Sequence, residues 1–214
     1  MTKRLIILLV LLPVLFSVSA QERIFQLWNL NRVQVALSEK TKIGVTEKVH
    51  FTPHSGNIDL KLGDVTIKRS INPWFEAGVA GRILMIRKDY GWLQENRPMV
   101  FGDISKKLGR LGFGFSNRFE YRMFKHVDDH FRYRQMFSVE LPPFVTPRLI
   151  IYAAEEGFIK FNDENLHIAR LYAGTKLKCS RIFEMRFYYV LEKSKELDFW
   201  NTSDVVGMNL SLDF

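Results

Sequence analysis

Residues 112–124 read GFGFSNRFEYRMF, and this stretch constrains the fold most because its apolar and polar side chains alternate. Phe113, Phe115, Phe119 and Tyr121 fall on one face. Successive side chains of a β-strand point to opposite sides, so this period of two predicts a strand with one apolar face and one charged face. Two kinds of barrel share that pattern: a soluble barrel with an apolar core and a membrane barrel with an apolar exterior.

Similar alternating segments follow one another along the chain, and no segment shows the 3.6-residue period of a long helix. We identify eleven candidate strands, at residues 24–37, 42–52, 58–67, 74–86, 96–106, 111–124, 130–141, 148–160, 165–178, 181–192 and 200–214. A barrel whose two ends lie on the same side of a membrane needs an even number of strands. We therefore expect one miscounted segment, within residues 21–31, and a total of ten or twelve strands. Short separators alternate with longer polar ones such as 87–95, as in outer-membrane barrels.

The first twenty residues, MTKRLIILLVLLPVLFSVSA, have the layout of a secretory signal peptide. Lys3 and Arg4 precede an apolar run, and residues 18–20 fit a small-residue cleavage site. The run is shorter than the ~20 apolar residues that a helix needs to cross a bilayer. We expect residues 1–20 to be cleaved as a signal peptide, leaving residues 21–214 as a single barrel domain.

The composition excludes several classes of protein. With 47% hydrophobic and 25% charged residues, the chain is too polar for a helical membrane bundle, whereas a barrel with a polar lumen fits. The formal net charge of +8 falls to about +6 without Lys3 and Arg4. No dense basic cluster marks a nucleic-acid arm, so we expect anionic lipid and not nucleic acid as the partner. The single cysteine, Cys179, excludes an internal disulfide and a cysteine-based metal site.

The last strand favours the membrane orientation. In the stretch VVGMNLSLDF, apolar side chains occupy every second position and end on an aromatic residue: Val206, Met208, Leu210, Leu212 and Phe214. This pattern resembles the C-terminal signal of proteins that the outer-membrane insertion machinery recognises. We therefore expect periplasmic chaperones and that machinery as partners during biogenesis. A final strand packed on a soluble core is the alternative.

The opposite faces in the second half of the chain carry six arginines and four glutamates. They are Arg118, Glu120, Arg122, Arg132, Arg134, Glu140, Glu156, Arg170, Glu184 and Arg186. Because arginine suits forked pairing with carboxylates, we place this set inside the barrel. A barrel of ten or twelve strands is nearer to the filled size of about eight strands than to the ~16–18 of open porins. The lumen is therefore expected to be plugged by Arg, Glu and Tyr side chains.

Several stretches resemble a family of Gram-negative outer-membrane β-barrels known as domain of unknown function 2490. They are ENRPMV at 95–100, NRFEYR at 117–122, FRYR at 131–134, AEEGF at 154–158 and RLYAG at 170–174. The resemblance extends from about Trp28 to Phe214 and implies a barrel in the outer membrane, but no activity. It adds Arg97 to the lumen set, because the family's charged motifs match Arg97 together with seven of the residues above.

Catalytic chemistry has one candidate location, the stretch KHVDDH at residues 125–130. Its two histidines flank two aspartates at a spacing that could hold a metal or orient a base: His126, Asp128, Asp129 and His130. A solvated hairpin tip is the simpler interpretation. The adjacent Glu155 and Glu156 point to opposite sides of a strand and cannot form a carboxylate pair. We predict no catalytic residues, no metal and no cofactor.

The leading hypothesis is a non-enzymatic, monomeric outer-membrane barrel that serves as an envelope structural component or as a narrow conduit for small polar solutes. The second is an outer-membrane barrel enzyme that acts on lipid or envelope polymers, with its site at the stretch 125–130. The third is a soluble, lipocalin-like binding barrel, which requires the apolar face to lie inside.

Overall fold

The computed structural model describes residues 23–125, 128–143, 146–161, 165–196 and 199–214. Within these ranges the chain forms eleven strands: β1 (Ile24–Ala36), β2 (Thr41–Thr52), β3 (Asn57–Asn72), β4 (Phe75–Lys88), β5 (Gly91–Leu108), β6 (Leu111–Phe124), β7 (His130–Glu140), β8 (Leu149–Lys160), β9 (Asn165–Lys178), β10 (Phe183–Glu196) and β11 (Phe199–Asp213). They close into one barrel in chain order. The predicted signal peptide, residues 1–20, lies outside the described residues. No helix in these ranges is long and apolar enough to span a membrane.

The barrel closes through a parallel pair of strands, β1 and β11, in which Leu27 lies beside Val206 and Val33 beside Leu212. The other neighbouring pairs are antiparallel. The predicted all-β barrel is confirmed, but the expected total of ten or twelve strands is wrong. Residues 24–36 form a complete strand, and a parallel closing pair places the start of β1 and the end of β11 at opposite rims. Parallel strands also form a complete hydrogen-bond ladder, so closure does not require an even number.

The two rims carry connections of similar length, so the predicted alternation of short turns and long loops is wrong. The C-terminal rim, where β11 ends, carries connections 37–40, 73–74, 109–110, 141–148 and 179–182. The N-terminal rim, where β1 begins, carries connections 53–56, 89–90, 125–129, 161–164 and 197–198. Most of the stretch 87–95, predicted as a loop, is a paired hairpin in which Lys88 lies opposite Gly91. Gly91 adopts a φ of 118° there, which residues with a Cβ rarely reach.

The apolar face of the alternating strands forms the exterior of the barrel. On β6, Phe115 and Phe119 are 38% and 50% exposed, whereas Glu120 is 1% exposed. The polar residue that breaks the alternation, Asn117, accepts a hydrogen bond from the Tyr133 hydroxyl of the next strand. The exterior therefore presents phenyl rings and branched side chains. The amide oxygen of Asn117 also lies on the exterior, but the neighbouring strand satisfies it with a hydrogen bond.

A small apolar cluster lies in the lumen, formed by Trp28, Tyr152, Tyr188, Val190 and Val205. Tyr188 packs flat against the neighbouring strand at Gly207. A Cβ at position 207 would lie 2.2 Å from Tyr188 Cζ, so a side chain there would displace the ring. The glycine thus lets an aromatic side chain from β10 cover the backbone of β11 near the seam between the first and last strands.

Candidate functional site in the barrel lumen

Two buried carboxylates, Glu95 and Glu120, lie among arginines in the half of the lumen nearer the N-terminal rim. Because Glu95 and Arg97 are two residues apart on β5, they share its inner face, and Arg97 Nε donates to Glu95 Oε1 at 2.7 Å. Arg122 binds both oxygens of Glu95 at 2.8 Å. Glu120 Oε2 accepts from Nε and Nη2 of Arg132 at 2.8 and 2.5 Å, and Arg97 Nη1 lies 3.4 Å from it. The two carboxylates are therefore joined through Arg97.

A third buried carboxylate, Glu156, lies between strands β7 and β9. Arg134 contacts its Oε1 through Nε and Nη2. Its Oε2 accepts hydrogen bonds from Arg170 Nη1 at 3.1 Å and from the Tyr172 hydroxyl at 2.8 Å. Arg170 also donates through Nε to Glu192 on β10 at 2.5 Å. One carboxylate thus connects side chains of three adjacent strands, and Arg170 extends the network to a fourth.

The ring of Phe158, 2% exposed, lies between the two groups of ions. The guanidinium carbons of Arg132, Arg134 and Arg170 lie 4.9, 5.2 and 4.7 Å from its centroid. Arg170 also lies 4.9 Å from the ring of Trp28 on β1, and such cation–π contacts are strongest where water is excluded. We call this connected set the lumen plug: Glu95, Arg97, Glu120, Arg122, Arg132, Arg134, Glu156, Phe158, Arg170, Tyr172 and Glu192.

The energetic role of the lumen plug follows from its burial. Glu95, Glu120 and Glu156 are at most 1% exposed, and a buried carboxylate is costly unless it is paired. Each of the three contacts at least two arginines. Since desolvation offsets much of the attraction in a buried pair, the plug adds little stability over an apolar filling, yet removing one partner leaves a costly lone charge.

The structure places the remaining predicted lumen residues outside the plug. Glu140 pairs with Lys176 and not with an arginine. Glu184 pairs with Arg186 at 2.6 Å near the C-terminal rim, where both side chains are partly exposed. Arg118 also faces inward, but its buried Nε has no hydrogen-bond partner. Its guanidinium carbon lies 5.9 Å from the centroid of the Phe101 ring.

The sequence analysis missed several members of the network. Glu95 stands two positions before Arg97 in the stretch ENRPMV, so the period of two already placed it on the same face. Tyr172 and Glu192 also alternate in register with the charges on their strands. A further inward pair, Arg82 with Asp64 at 2.7 Å, lies in the first half of the chain. The sequence analysis predicted alternating strands there but did not predict which charged residues point inward.

The candidate enzyme stretch is a hydrogen-bonded hairpin tip in the residues described. Asp129 accepts hydrogen bonds from the Tyr121 hydroxyl at 3.1 Å and from the Phe124 backbone N–H at 2.9 Å. His126 lies outside the described residues. No group of three or more His, Cys, Asp or Glu side chains in the described ranges could hold a metal ion. The enzyme hypothesis therefore stays a prediction, with Asp129 already bound to its own hairpin.

The outer strand faces agree with the predicted orientation of the last strand. Val206 and Phe214 are 47% and 57% exposed, whereas Val205 is fully buried. The backbone of Phe214 joins the two ends of the sheet: its N–H donates to the Gln34 carbonyl and its carbonyl accepts from the Ala36 N–H, both at 2.9 Å. The residues of the predicted insertion signal thus alternate outward along β11, beside β1.

The fold is similar to those of two solved structures. A bacterial polysaccharide outer membrane secretin matches with a TM-score of 0.55 and 11% identity over 83% of this chain and 66% of the secretin, so this chain spans a little under two thirds of that protein. LpxR from Salmonella typhimurium matches with a TM-score of 0.53 and 9% identity over 86% of this chain and 87% of LpxR. At such identities the likeness concerns the fold alone.

Two comparisons of the sequence with known proteins and families gave different results. A search of curated proteins gave no significant match. The family model described as "Protein of unknown function (DUF2490)" matches residues 25–202, which is most of the barrel. The chain belongs to the DUF2490 family, whose member here is an outer-membrane-type β-barrel with an ionic plug in its lumen.

Proposed function

We propose that this chain is a non-conducting β-barrel of the Gram-negative outer membrane and serves as a structural component of the envelope. The observation that carries the proposal is the lumen plug. Its carboxylates are buried and contacted by arginines from neighbouring strands, and Arg170 on β9 reaches Trp28 on β1. A conduit for polar solutes needs a continuous hydrated path, whereas here ion pairs and aromatic rings occupy the lumen.

The exterior supports the membrane location. Val79 and Val100, on the adjacent strands β4 and β5, are 53% and 52% exposed, and exposed apolar residues recur on most strands. Such a surface is costly in water and favourable in a bilayer. We propose outer-membrane lipid as the lasting partner, with periplasmic chaperones and the insertion machinery acting during biogenesis after the signal peptide is removed.

Bilayer conductance tests the sealed lumen. We expect no steady conductance from the folded wild-type protein reconstituted in a planar bilayer. The triple variant R134A/E156A/R170A removes ions of both signs at the centre of the plug and should produce measurable conductance. The matched control K42A/D213A removes an ion pair of 2.7 Å between the start of strand β2 and the end of β11, and should show no conductance.

Three outcomes would contradict the proposal. A steady, ion-selective wild-type conductance would favour the narrow conduit. A folded protein that fails to co-fractionate with the outer membrane, or that lacks the heat-dependent gel shift of membrane barrels, would contradict the location. Turnover of a lipid or envelope polymer that is lost on substituting both His126 and His130 would favour the enzyme hypothesis instead.

A further inference from the structure

A polar cavity of about 90 Å³ lies in the lumen beside the plug, and its charged lining side chains come from β1, β3, β4, β5 and β6. Five of them are Arg32, Asp64, Arg82, Asp103 and Arg118, and Lys68 adds another cation at the edge. A site needs about 10–15 Å³ of space open to the centre of a water molecule if it is to hold one water. The cavity therefore has room for several water molecules or for one small polyatomic ion.

The cations in this cavity are not all matched by carboxylates. Arg82 is paired with Asp64 and Lys68 with Glu76. Asp103 accepts a hydrogen bond from the neutral Ser116 hydroxyl, so its negative charge offsets one of the two remaining cations, Arg32 and Arg118, and the lining keeps a net positive charge. Within the described part of the chain, neither Arg32 nor Arg118 lies within ion-pair distance of a carboxylate.

The Nε of Arg118 gives an independent sign of a missing ligand. It is buried and has no hydrogen-bond partner, and Arg118 is one of the residues that line the cavity. Buried polar atoms in folded proteins are hydrogen-bonded with few exceptions, and a buried cation is costly when it is alone. Arginine presents several donors in one plane and holds carboxylate and phosphate oxygens with two parallel bonds. An anion in the cavity would satisfy both the donor and the charge.

A second, larger cavity of about 870 Å³ lies beside the first, at the C-terminal rim. The two cavities share Arg32 and Gln34, and the larger one is lined by the connection between β9 and β10. Five cations and two carboxylates line it, including Arg148, Lys178 and Arg181 at the rim. Such an excess of one sign in a concave site raises the local concentration of counter-ions.

We propose that the smaller cavity is a binding site for a small oxyanion, bearing a phosphate or a carboxylate group, that Arg32 and Arg118 hold. The ion reaches the site through the larger cavity at the C-terminal rim, which we call the basic vestibule, and the lumen plug blocks passage farther along the barrel. The size of the cavity excludes polymers. The inference goes beyond the proposed function, since a barrel that conducts nothing can still bind an anion at the closed end of its vestibule.

Calorimetric titration of the folded, full-length protein tests this site. The probes are inorganic phosphate and acetate, with sodium chloride at equal ionic strength as the reference. We expect saturable binding of phosphate or acetate and none of chloride, and the stronger of the two identifies the recognised group. The variants R118Q and R32Q should each weaken binding about tenfold or more, because each removes hydrogen bonds to a charged group.

The control variant is R87Q, since Arg87 is exposed on β4 and lines neither cavity. It should bind with wild-type affinity. The heat-dependent gel shift establishes that each variant is folded, and R32Q and R118Q serve as independent tests. Equal affinity in wild type, R32Q and R118Q would overturn the proposal. So would equal heats from chloride, or no saturable binding of either oxyanion.

Discussion

The substitution of Glu156 by glutamine tests the central carboxylate of the lumen plug. The change keeps the shape of the side chain but removes its charge, which is fully buried. Arg170 retains its pair with Glu192, so Arg134 is the cation left without a carboxylate. Breaking a buried pair from one side costs about 3–5 kcal/mol. Because the Arg134 side chain is 23% exposed, water screens part of its charge, and we expect the low end, about 3 kcal/mol.

That loss should be measured as the free energy of unfolding in urea, with the protein in detergent micelles or lipid vesicles and tryptophan fluorescence as the signal. A loss of about 3 kcal/mol raises the unfolding equilibrium constant more than a hundredfold. The matched control is E155Q, one position away on the exposed outer face of the same strand. It removes a charge from the outer face and no buried partner, so it should not lower the free energy of unfolding by more than about 0.5 kcal/mol.

A double-mutant cycle separates the lone charge from the lost hydrogen bonds. The double variant R134Q/E156Q removes both charges, so it should be more stable than the sum of the two single losses predicts, with a coupling energy of about 1 kcal/mol or more. An E156Q loss below about 1 kcal/mol, or strict additivity in the cycle, would refute the argument that Glu156 compensates a buried cation.

Three further predictions concern packing, the exterior amide and the membrane. G207A should cost about 1–3 kcal/mol because its Cβ would overlap the Tyr188 ring, whereas G63A, which has nothing within 4 Å of its Cβ, should be nearly neutral in the same urea assay. Y133F should cost about 1–3 kcal/mol by leaving the Asn117 amide without its partner on the apolar exterior, and full stability would show that lipid headgroups or water replace that bond. In a C179S background, an environment-sensitive fluorophore on F119C should emit at shorter wavelength in lipid vesicles than one on Y90C, at the 73% exposed turn, and identical spectra would place the apolar face outside the bilayer.

The division of faces was predictable from local sequence because a strand alternates its side chains with no help from its neighbours. Phe119 and Glu120 are adjacent in the chain, and the structure places the first half-exposed outside and the second buried inside. The same rule separates Glu155 from Glu156. The inward position of Arg97 came from the resemblance, and the alternation in ENRPMV would have added Glu95.

The pairing of charges was not predictable, because it depends on the register between strands that are far apart in sequence. Glu140 meets Lys176 from a strand two positions away around the barrel, and no local pattern distinguishes that lysine from an arginine on the same face. Arg118 belongs to the same motif as Glu120 and Arg122, yet the structure leaves it facing a cavity and not a carboxylate. The candidate anion site exists only because of that register.

The sequence by itself determined that each strand has one apolar face and one charged face, since a side-chain period of two is a property of each strand alone. The pattern of the last strand and the matched arginines and glutamates then favoured an apolar exterior. Only the tertiary structure decided that eleven strands close the barrel through a parallel seam between β1 and β11. The barrel closes when the first and last strands, which are far apart in the sequence, form hydrogen bonds with each other. Parallel and antiparallel pairing both satisfy the backbone groups of the two strands, so local sequence does not decide between them.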